Sequence, residues 1–156
     1  AVAVTDAVGA WLKKNGESIY GCGEADLSKP EWGRYTRKGS TLYAHVMEQG
    51  FGHYSLQGLR GALKNGRTLA DGAEAFLCDF WNPGVQTFDD PDDAFFNIRR
   101  PVQSTFPLPD EKDTVVRFEY ADAREKAAAL DRLDREFEQA VFPRNRENAK
   151  IFPMIK

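Results

Sequence analysis

Hydrophobic residues recur at helical spacing near both ends of the chain and alternate with polar residues between them. Near the N-terminus, Val8, Trp11 and Leu12 fall on one face of an amphipathic helix predicted over residues 1–15. The Asn-Gly pair at positions 15 and 16 supplies the left-handed residue that ends many helices. We therefore expect a helix that passes directly into an extended segment.

From Tyr35 onward the period of the pattern becomes two, which is typical of β-strands. Leu42, Ala44 and Val46 form one aliphatic face of such a strand. Asn-Gly and Asp-Gly pairs within residues 61–72 favour strand, turn and strand over a short helix. Six or so short strands with frequent turns predict an antiparallel β-sandwich. The other predicted strands are 54–59, 75–80, 95–98 and 114–120.

Helical spacing returns over residues 121–142, where Leu130 and Phe137 belong to one apolar face. Asp122 is expected to cap this helix, and Pro143 ends it. The pattern as a whole predicts a mainly β protein, an antiparallel β-sandwich with an N-terminal and a C-terminal helix.

Two blocks of the sequence resemble one enzyme family. Residues 9–21, Gly-x-Trp-Leu-x-x-Asn-Gly-Glu-x-Ile-Tyr-Gly, resemble the end of the catalytic barrel in the α-L-fucosidases of glycoside hydrolase family 29. Residues 36–46, Thr-Arg-Lys-Gly-Ser-Thr-Leu-Tyr-Ala-His-Val, resemble the first strand of the C-terminal β-sandwich of these enzymes. The blocks occur in the family's order, and the resemblance covers about residues 8–120.

The resemblance implies a barrel-end helix and linker (1–34) followed by a β-sandwich (35–120), and the helical tail (121–156) lies beyond the part that resembles the family. The chain has 156 residues, whereas a complete barrel needs about 200 or more. The family's nucleophile and acid/base lie upstream of the matched part. The resemblance therefore implies the non-catalytic C-terminal portion of an enzyme that hydrolyses terminal α-L-fucosyl linkages, inactive alone and without cofactor or metal.

The implied partners are a catalytic barrel, covalently linked or associated, and a fucosylated glycan. Two other functions stay open, a free-standing carbohydrate-binding β-sandwich module and a structural subunit that completes a separate barrel. The helix over residues 1–15 favours a neighbouring domain, because its apolar face expects a contact.

Glu17 and Tyr20 are the candidates for the rim of the sugar pocket, because they lie within the family-like block. A Glu after an Asn-Gly turn is more often a surface or hydrogen-bonding residue. Trp32, Trp81 and Phe88 are candidates for a carbohydrate-binding surface, since apolar sugar faces pack on aromatic rings. The alternative for these aromatics is packing in the core.

Other candidate chemistry has less support in the sequence. The acidic run at 89–93 is expected to be a solvated loop, because it lacks the alternating ligands and glycine of a calcium loop. His45 is expected on the solvent side or opposite a neighbouring strand, and neither it nor His53 has a partner at triad or metal spacing. Cys22 and Cys78 are expected to be separate buried thiols, with a disulfide between them as the alternative.

Net charge and the N-terminus limit the partners further. A net charge of −3 with mixed signs offers no attraction for nucleic acid or anionic lipid. No apolar run approaches the roughly 18 residues that span a bilayer. The first residues, Ala-Val-Ala-Val-Thr-Asp, have no Met and no signal-peptide core, so a fragment, a processed product or a cut chain is expected, with localisation left open between secreted, periplasmic and other compartments.

Overall fold

The computed structural model describes residues 2–50, 53–78, 92–99 and 107–135. The chain divides into two units, Ala1–Ala121 and Asp122–Lys156. The described part of the first unit contains helix α1 (Val2–Asn15), a 3-10 turn (Gly16–Ser18) and the strands β1 (Gly33–Lys38), β2 (Thr41–Val46), β3 (Tyr54–Leu56), β4 (Leu63–Thr68), β5 (Ala75–Cys78), β6 (Ala94–Ile98) and β7 (Thr114–Tyr120). None of the helices in these ranges is long and apolar enough to cross a bilayer.

The strands form two antiparallel sheets. The first has the order β1-β2-β7-β4 and the second the order β3-β6-β5. Every strand pairing in them is antiparallel. The predicted fold class, a β-sandwich with a helix before it and a helix after it, is confirmed.

The block at residues 36–46, predicted as one strand, is a hairpin. Lys38 pairs with Thr41, so that Gly39 and Ser40 form a two-residue turn between β1 and β2. Gly39 has φ +59°, a left-handed value that glycine adopts without steric cost. The single-strand prediction is wrong because the alternating pattern continues on both sides of this turn.

The Asn65-Gly66 pair lies inside β4 and does not form the predicted turn. The pairing of β4 with β7 shifts register between Lys64 and Arg67, which is a β-bulge, and Asn65 takes φ +55°. A Cβ on Gly66 would lie 2.7 Å from both the Ala75 carbonyl oxygen and the Phe118 ring. The glycine therefore permits β4 and β5 to approach closely. The turn after β4 spans residues 69–72 and contains Asp71 and Gly72, as the Asp-Gly pair predicts.

The core lies between the two sheets. The aliphatic face predicted for β2 is fully buried there. Phe118 of β7 meets Phe96 of β6 edge-to-face, with 5.3 Å between the ring centroids. Because each sheet contributes one of these rings, the contact joins the two layers. Among the described residues, the fully buried aliphatic side chains of the core are Leu42, Ala44, Val46, Leu56 and Val116.

Helix α1 ends differently from the sequence prediction. Asn15 has φ −123° and ψ 1°, and no left-handed residue occurs at the helix end. The chain tightens into the 3-10 turn instead, with the Ile19 and Tyr20 amides both donating to the Gly16 carbonyl. The expected direct passage into an extended segment is therefore wrong.

The connection from α1 to β1 runs along the outer edge of the first sheet. The Gly23 amide donates to the Arg37 carbonyl at 2.8 Å, and the Arg37 amide donates to the Gly23 carbonyl at 3.0 Å. This isolated antiparallel bridge pairs part of the free edge of β1.

In the second unit, residues 123–135, the last ones described, lie in helix α2. The Glu125 amide donates to the Asp122 carboxylate at 2.7 Å, and the Asp122 amide donates back to the Glu125 carboxylate at 3.4 Å. This reciprocal pair is a capping box, so the predicted cap is confirmed. Phe137 and Pro143, which belong to the prediction of this helix, lie outside the described residues.

Cys22 is a free thiol, so no disulfide links it to Cys78. It is also only half-buried, whereas a buried thiol was expected.

Gly33 gives a sharp test of the pairing between β1 and β2. A Cβ at this position would lie 1.7 Å from the backbone oxygen of His45, which cannot move without breaking the ladder. We expect Gly33→Ala to lower the free energy of unfolding by about 3 kcal/mol in urea titrations.

The matched control is Gly9→Ala, because a Cβ there meets no atom within 4 Å and the residue lies within α1. This control should raise the stability by about 0.5–1 kcal/mol. Equal changes in the free energy of unfolding for Gly33→Ala and Gly9→Ala would contradict the close approach of β1 and β2 at Gly33.

Candidate functional site

The outward face of β2 is covered by the N-terminal segment. Tyr43 and His45 point away from the core, yet each is only 2% exposed. Their side chains contact residues of α1, of the 3-10 turn and of the loop before β7. We call this contact the seam and define it by Trp11, Glu17, Ser18, Thr36, Tyr43, His45, Asp113 and Arg117. The expectation that His45 lies on a solvent side is wrong, because the segment that resembles the barrel end folds back over this face.

One part of the seam is centred on Glu17. The hydroxyl of Tyr43 donates to the Glu17 carboxylate at 2.7 Å, and Nε of Arg117 lies 3.6 Å from the same oxygen. The carboxylate is about half exposed, so its ion pair with Arg117 is screened by solvent. Burial raises the pKa of the Tyr43 phenol, and the hydrogen bond to Glu17 raises it further. Glu17 acts here as an acceptor that fastens the turn to β2.

The other part of the seam is a chain of hydrogen bonds through His45. Nδ1 lies 3.0 Å from Oδ2 of Asp113, and Nε2 lies 3.0 Å from the hydroxyl of Thr36. The Thr36 hydroxyl donates to the Ser18 carbonyl at 2.6 Å. At the far side, Nε1 of Trp11 donates to the Asp113 carbonyl at 3.0 Å. Three separate stretches of chain are thereby joined across the outer face of the sheet.

Tyr20, the second rim candidate, lies at the surface with 63% of its area exposed. Its ring rests against Gly16, where a Cβ would lie only 2.7 Å from the ring carbon Cε2. The Lys38 ammonium lies 3.4 Å from the Tyr20 carbonyl. Glu17 and Tyr20 thus lie on one short segment, Glu17 held by the sheet and Tyr20 presented outward.

Trp32 lies in the core with 7% exposure. Its ring packs edge-to-face against Tyr35, Tyr54 and Phe96, and its Nε1 donates to the Ser55 carbonyl at 2.9 Å. The ring is therefore used for core packing, the alternative that the sequence left open. Trp81 and Phe88, the other two candidates for a carbohydrate surface, lie outside the described residues.

A cleft of about 240 Å³ separates part of α1 from the sandwich. Trp11, Lys14 and Asn15 line it from the helix, and Asp71 and Asp110 line it from two turns. Both carboxylates accept hydrogen bonds within their own turns, Asp71 from Thr68 and Ala73, and Asp110 from the amides of residues 112 and 113. Arg99, which follows β6, also donates to Asp71. The Thr68 hydroxyl first and the Ala73 amide next hold the pKa of Asp71 below its usual range. The cleft thus presents carboxylates that already accept hydrogen bonds.

Within the described ranges, no three His, Cys, Asp or Glu side chains are grouped so that they could hold a metal ion. His45 and Asp113 form only a pair. Of the acidic run at 89–93, only Asp92 and Asp93 lie in the described part, and the Asp93 carboxylate accepts from the Gly58 amide at 2.8 Å. The geometry of the seam is that of a polar clamp between two parts of the chain.

Among solved structures, α-L-fucosidase isoenzyme 1 from Paenibacillus thiaminolyticus is 50% identical to this chain, with a TM-score of 0.63. The match covers 74% of this chain and 25% of that enzyme. The chain is related to the α-L-fucosidases of glycoside hydrolase family 29. The coverage is that expected of a C-terminal portion of such an enzyme, and the chain spans about a quarter of the length of the fucosidases it matches.

Two Thermotoga maritima structures match more distantly. An α-fucosidase in complex with a mechanism-based inhibitor is 18% identical, with a TM-score of 0.47, and covers 72% of this chain and 24% of its own. An α-L-fucosynthase is 20% identical, with a TM-score of 0.45, and covers 71% and 24%. No protein-family model matches the chain, and a comparison with curated proteins gives no match.

Glu17 stands out in the sequence of this fucosidase relative, whereas the seam residues contributed by the last strand and the loop before it do not. Asp113 and Arg117 lie about a hundred residues further along the chain, and only the pairing of β2 with β7 brings them beside Glu17 and His45. The sequence signal for the seam was the alternation of polar residues along β2. Their pairing with the family-like block depends on the path of the chain over the sheet.

Tyr43→Phe tests the contribution of the Glu17 part of the seam. The substitution removes the hydroxyl donor, so we expect the free energy of unfolding to fall by about 1 kcal/mol. Tyr20→Phe is the matched control, because Tyr20 is exposed, and its loss should be close to zero. A Tyr43→Phe protein as stable as the parent in urea would contradict the role of this hydrogen bond.

The raised pKa of Tyr43 gives a second expectation, at alkaline pH. Folding favours the protonated phenol, so its contribution is complete below about pH 10, where a free tyrosine begins to ionise. It is lost as the pH rises through the folded pKa. Stability measured from pH 9 to 11 should therefore fall less steeply in Tyr43→Phe than in the parent. Tyr35, Tyr54 and Tyr120 also have raised pKa values and leave a residual slope in both proteins. Parallel slopes would contradict this expectation.

Proposed function

We propose that this chain is the β-sandwich portion of an α-L-fucosidase and that it supports and shapes a catalytic barrel without supplying the reacting carboxylates. The observation that carries the proposal is the 50% identity to the Paenibacillus enzyme over 74% of this chain and 25% of that one. By this proposal the complete enzyme hydrolyses terminal α-L-fucosyl linkages. The glycan is then a substrate of the assembly.

The exposed face of α1 supports a neighbouring domain. Val4 and Val8 are 68% and 52% exposed. At helical spacing they continue the face on which Trp11 and Asn15 contact the sandwich. An apolar stripe that extends beyond its own packing partner is typical of a contact surface. We propose that the catalytic barrel covers these two valines.

The contacts of the Glu17 carboxylate favour a structural role for this residue over a catalytic one. Retaining glycosidases use two carboxyl groups about 5 Å apart, one of them a nucleophile. The Glu17 carboxylate already accepts from Tyr43 and lies near Arg117. We propose that it holds the segment from Gly16 to Tyr20 beside the sugar pocket, with the exposed Tyr20 ring at the pocket rim.

Three parts of the chain have separate roles under the proposed function. Residues 1–34 form the barrel-end helix and linker, residues 35–120 the sandwich and residues 121–156 a helical tail. The seam supports the first assignment, because it gives the barrel-end helix a fixed position on the sandwich through side chains from both parts.

Two assays test the proposal. The purified chain should release no chromogenic phenol from an aryl α-L-fucoside, and measurable turnover by the chain would contradict the proposal. In the second assay, this chain replaces the corresponding quarter of the Paenibacillus enzyme, and the chimera should hydrolyse the same substrate. An inactive chimera that is folded by circular dichroism would count against the proposal.

Substitutions in the chimera test the proposed contact surface. Val4→Asn with Val8→Asn should lower its thermal midpoint and its activity, because two polar side chains would be buried without partners. Lys13→Asn, at another exposed position of α1, is the matched control and should leave both unchanged.

A fluorescence titration separates this function from a free-standing carbohydrate-binding module. Adding fucose or fucosylated glycans to the chain alone should give no saturable change in tryptophan emission. Saturable quenching would favour the binding module.

A further inference from the structure

The Thr36 hydroxyl lies between two groups but has only one proton to donate. Its oxygen is 2.6 Å from the Ser18 carbonyl oxygen, which can only accept. Two oxygens at this distance require a proton between them. The Thr36 proton is therefore used on Ser18, and its oxygen can only accept from Nε2 of His45, 3.0 Å away.

The other ring nitrogen faces a second acceptor. Nδ1 of His45 lies 3.0 Å and 3.2 Å from the two carboxylate oxygens of Asp113. An ionised carboxylate accepts and does not donate, so Nδ1 must carry a proton as well. A neutral imidazole has only one N–H and cannot serve both neighbours.

We propose that His45 is held as an imidazolium and that its second proton completes the hydrogen-bonded chain from Asp113 to the Ser18 carbonyl. The docking of the segment from Gly16 to Tyr20 on β1 and β2 then depends on proton binding at His45. This inference goes beyond the supporting role proposed above and does not rest on it.

The placement of the extra proton on the ring follows from basicity. A protonated Asp113 facing a neutral ring would satisfy the same contacts with the same number of protons. A carboxylate is a much weaker base than imidazole, so the ring takes the proton. The ring is 3% exposed, and a buried charge of this kind persists because it is paired and both of its N–H groups have acceptors.

Other charged groups lie on the elements that pack around His45. On β7, Arg117 pairs with Glu17, and on β1, Arg34 donates to the Gly33 carbonyl. Lys14 of α1 lines the cleft that Asp110 and Asp113 also line. Within the described residues, the ring forms its ion pair with the Asp113 carboxylate.

The pH dependence has a definite sign. In the folded seam both ring nitrogens of His45 carry a proton, because each faces a group that can only accept. The contribution to docking is therefore complete while both ring nitrogens are protonated and Asp113 is ionised, and it is lost when a rise in pH removes one of the two ring protons. The Thr36 hydroxyl then serves either Nε2 or the Ser18 carbonyl, and one of the two is left without its hydrogen bond.

Nitrogen chemical shifts test the protonation state directly in the unmodified 156-residue chain. The sequence contains only His45 and His53, so His53→Gln assigns the two rings. At pH 7, both ring nitrogens of His45 should show imidazolium shifts and both protons should be observable. One protonated and one unprotonated nitrogen at pH 7 would overturn the proposal.

Amide hydrogen exchange tests the consequence. The amides of Ile19, Tyr20 and Cys22 make local hydrogen bonds and report on the segment. After correction for intrinsic exchange rates, their exchange should rise at least fivefold between pH 6 and pH 9 in the parent. Thr36→Val should exchange fast at both pH values. Thr36→Ser, which keeps the hydroxyl, should restore the pH dependence, and His53→Gln should retain it. A pH-independent rate in the parent would overturn the proposed dependence of docking.

Discussion

The structure of the first unit depends on the pairing of polar groups across the outer face of β2. A sheet face that carries Tyr43 and His45 would ordinarily be exposed to water. Here it is closed by the end of α1 and the following turn, and burial of these polar atoms is tolerated because each finds a partner. The partners come from regions far apart in the chain, so the helix and the sandwich stabilise each other.

The two faces of the first sheet are held by different kinds of interaction. Its inner face packs aliphatic and aromatic side chains against the second sheet, with Phe118 against Phe96 at the contact. Its outer face uses directional hydrogen bonds, which require particular atoms at particular distances. On the inner face, one apolar residue can replace another at a small cost in stability. On the outer face, most substitutions would remove a hydrogen bond. The hydrogen bonds of the outer face thereby fix the position of α1 on the sheet.

The elements with a strong period were predictable from sequence, and the contacts between them were not. The alternation in β2 and the dense β-branched run of β7 indicated strands, and Asp122 indicated the start of α2. The Asn-Gly pairs misled the prediction, since residues 65 and 66 form a bulge and Gly16 begins a 3-10 turn. The turn propensity of Asn-Gly describes the conformation that this dipeptide favours in isolation. At residues 65 and 66 the pairing of β4 with β7 imposes a bulge instead.

In the candidate site, too, single residues were predictable from the sequence and their contacts were not. Glu17 stood out because of the block that contains it, and the structure shows that its carboxylate is held by Tyr43 near Arg117. Asp113 could not be identified, because a lone aspartate in a loop has no sequence signal for a buried histidine on another strand. Trp32 could be assigned to the core only once three aromatic neighbours surrounded it.

The bridge between Gly23 and Arg37 has a consequence for solubility. An open edge strand offers a row of unpaired amides and carbonyls to any passing strand of another molecule. Here the connecting segment occupies part of that row on β1, and Arg37 and Lys38 place two cations beside it. The same linker that carries the chain from helix to sheet thus protects the sheet against strand addition and fibrous self-association.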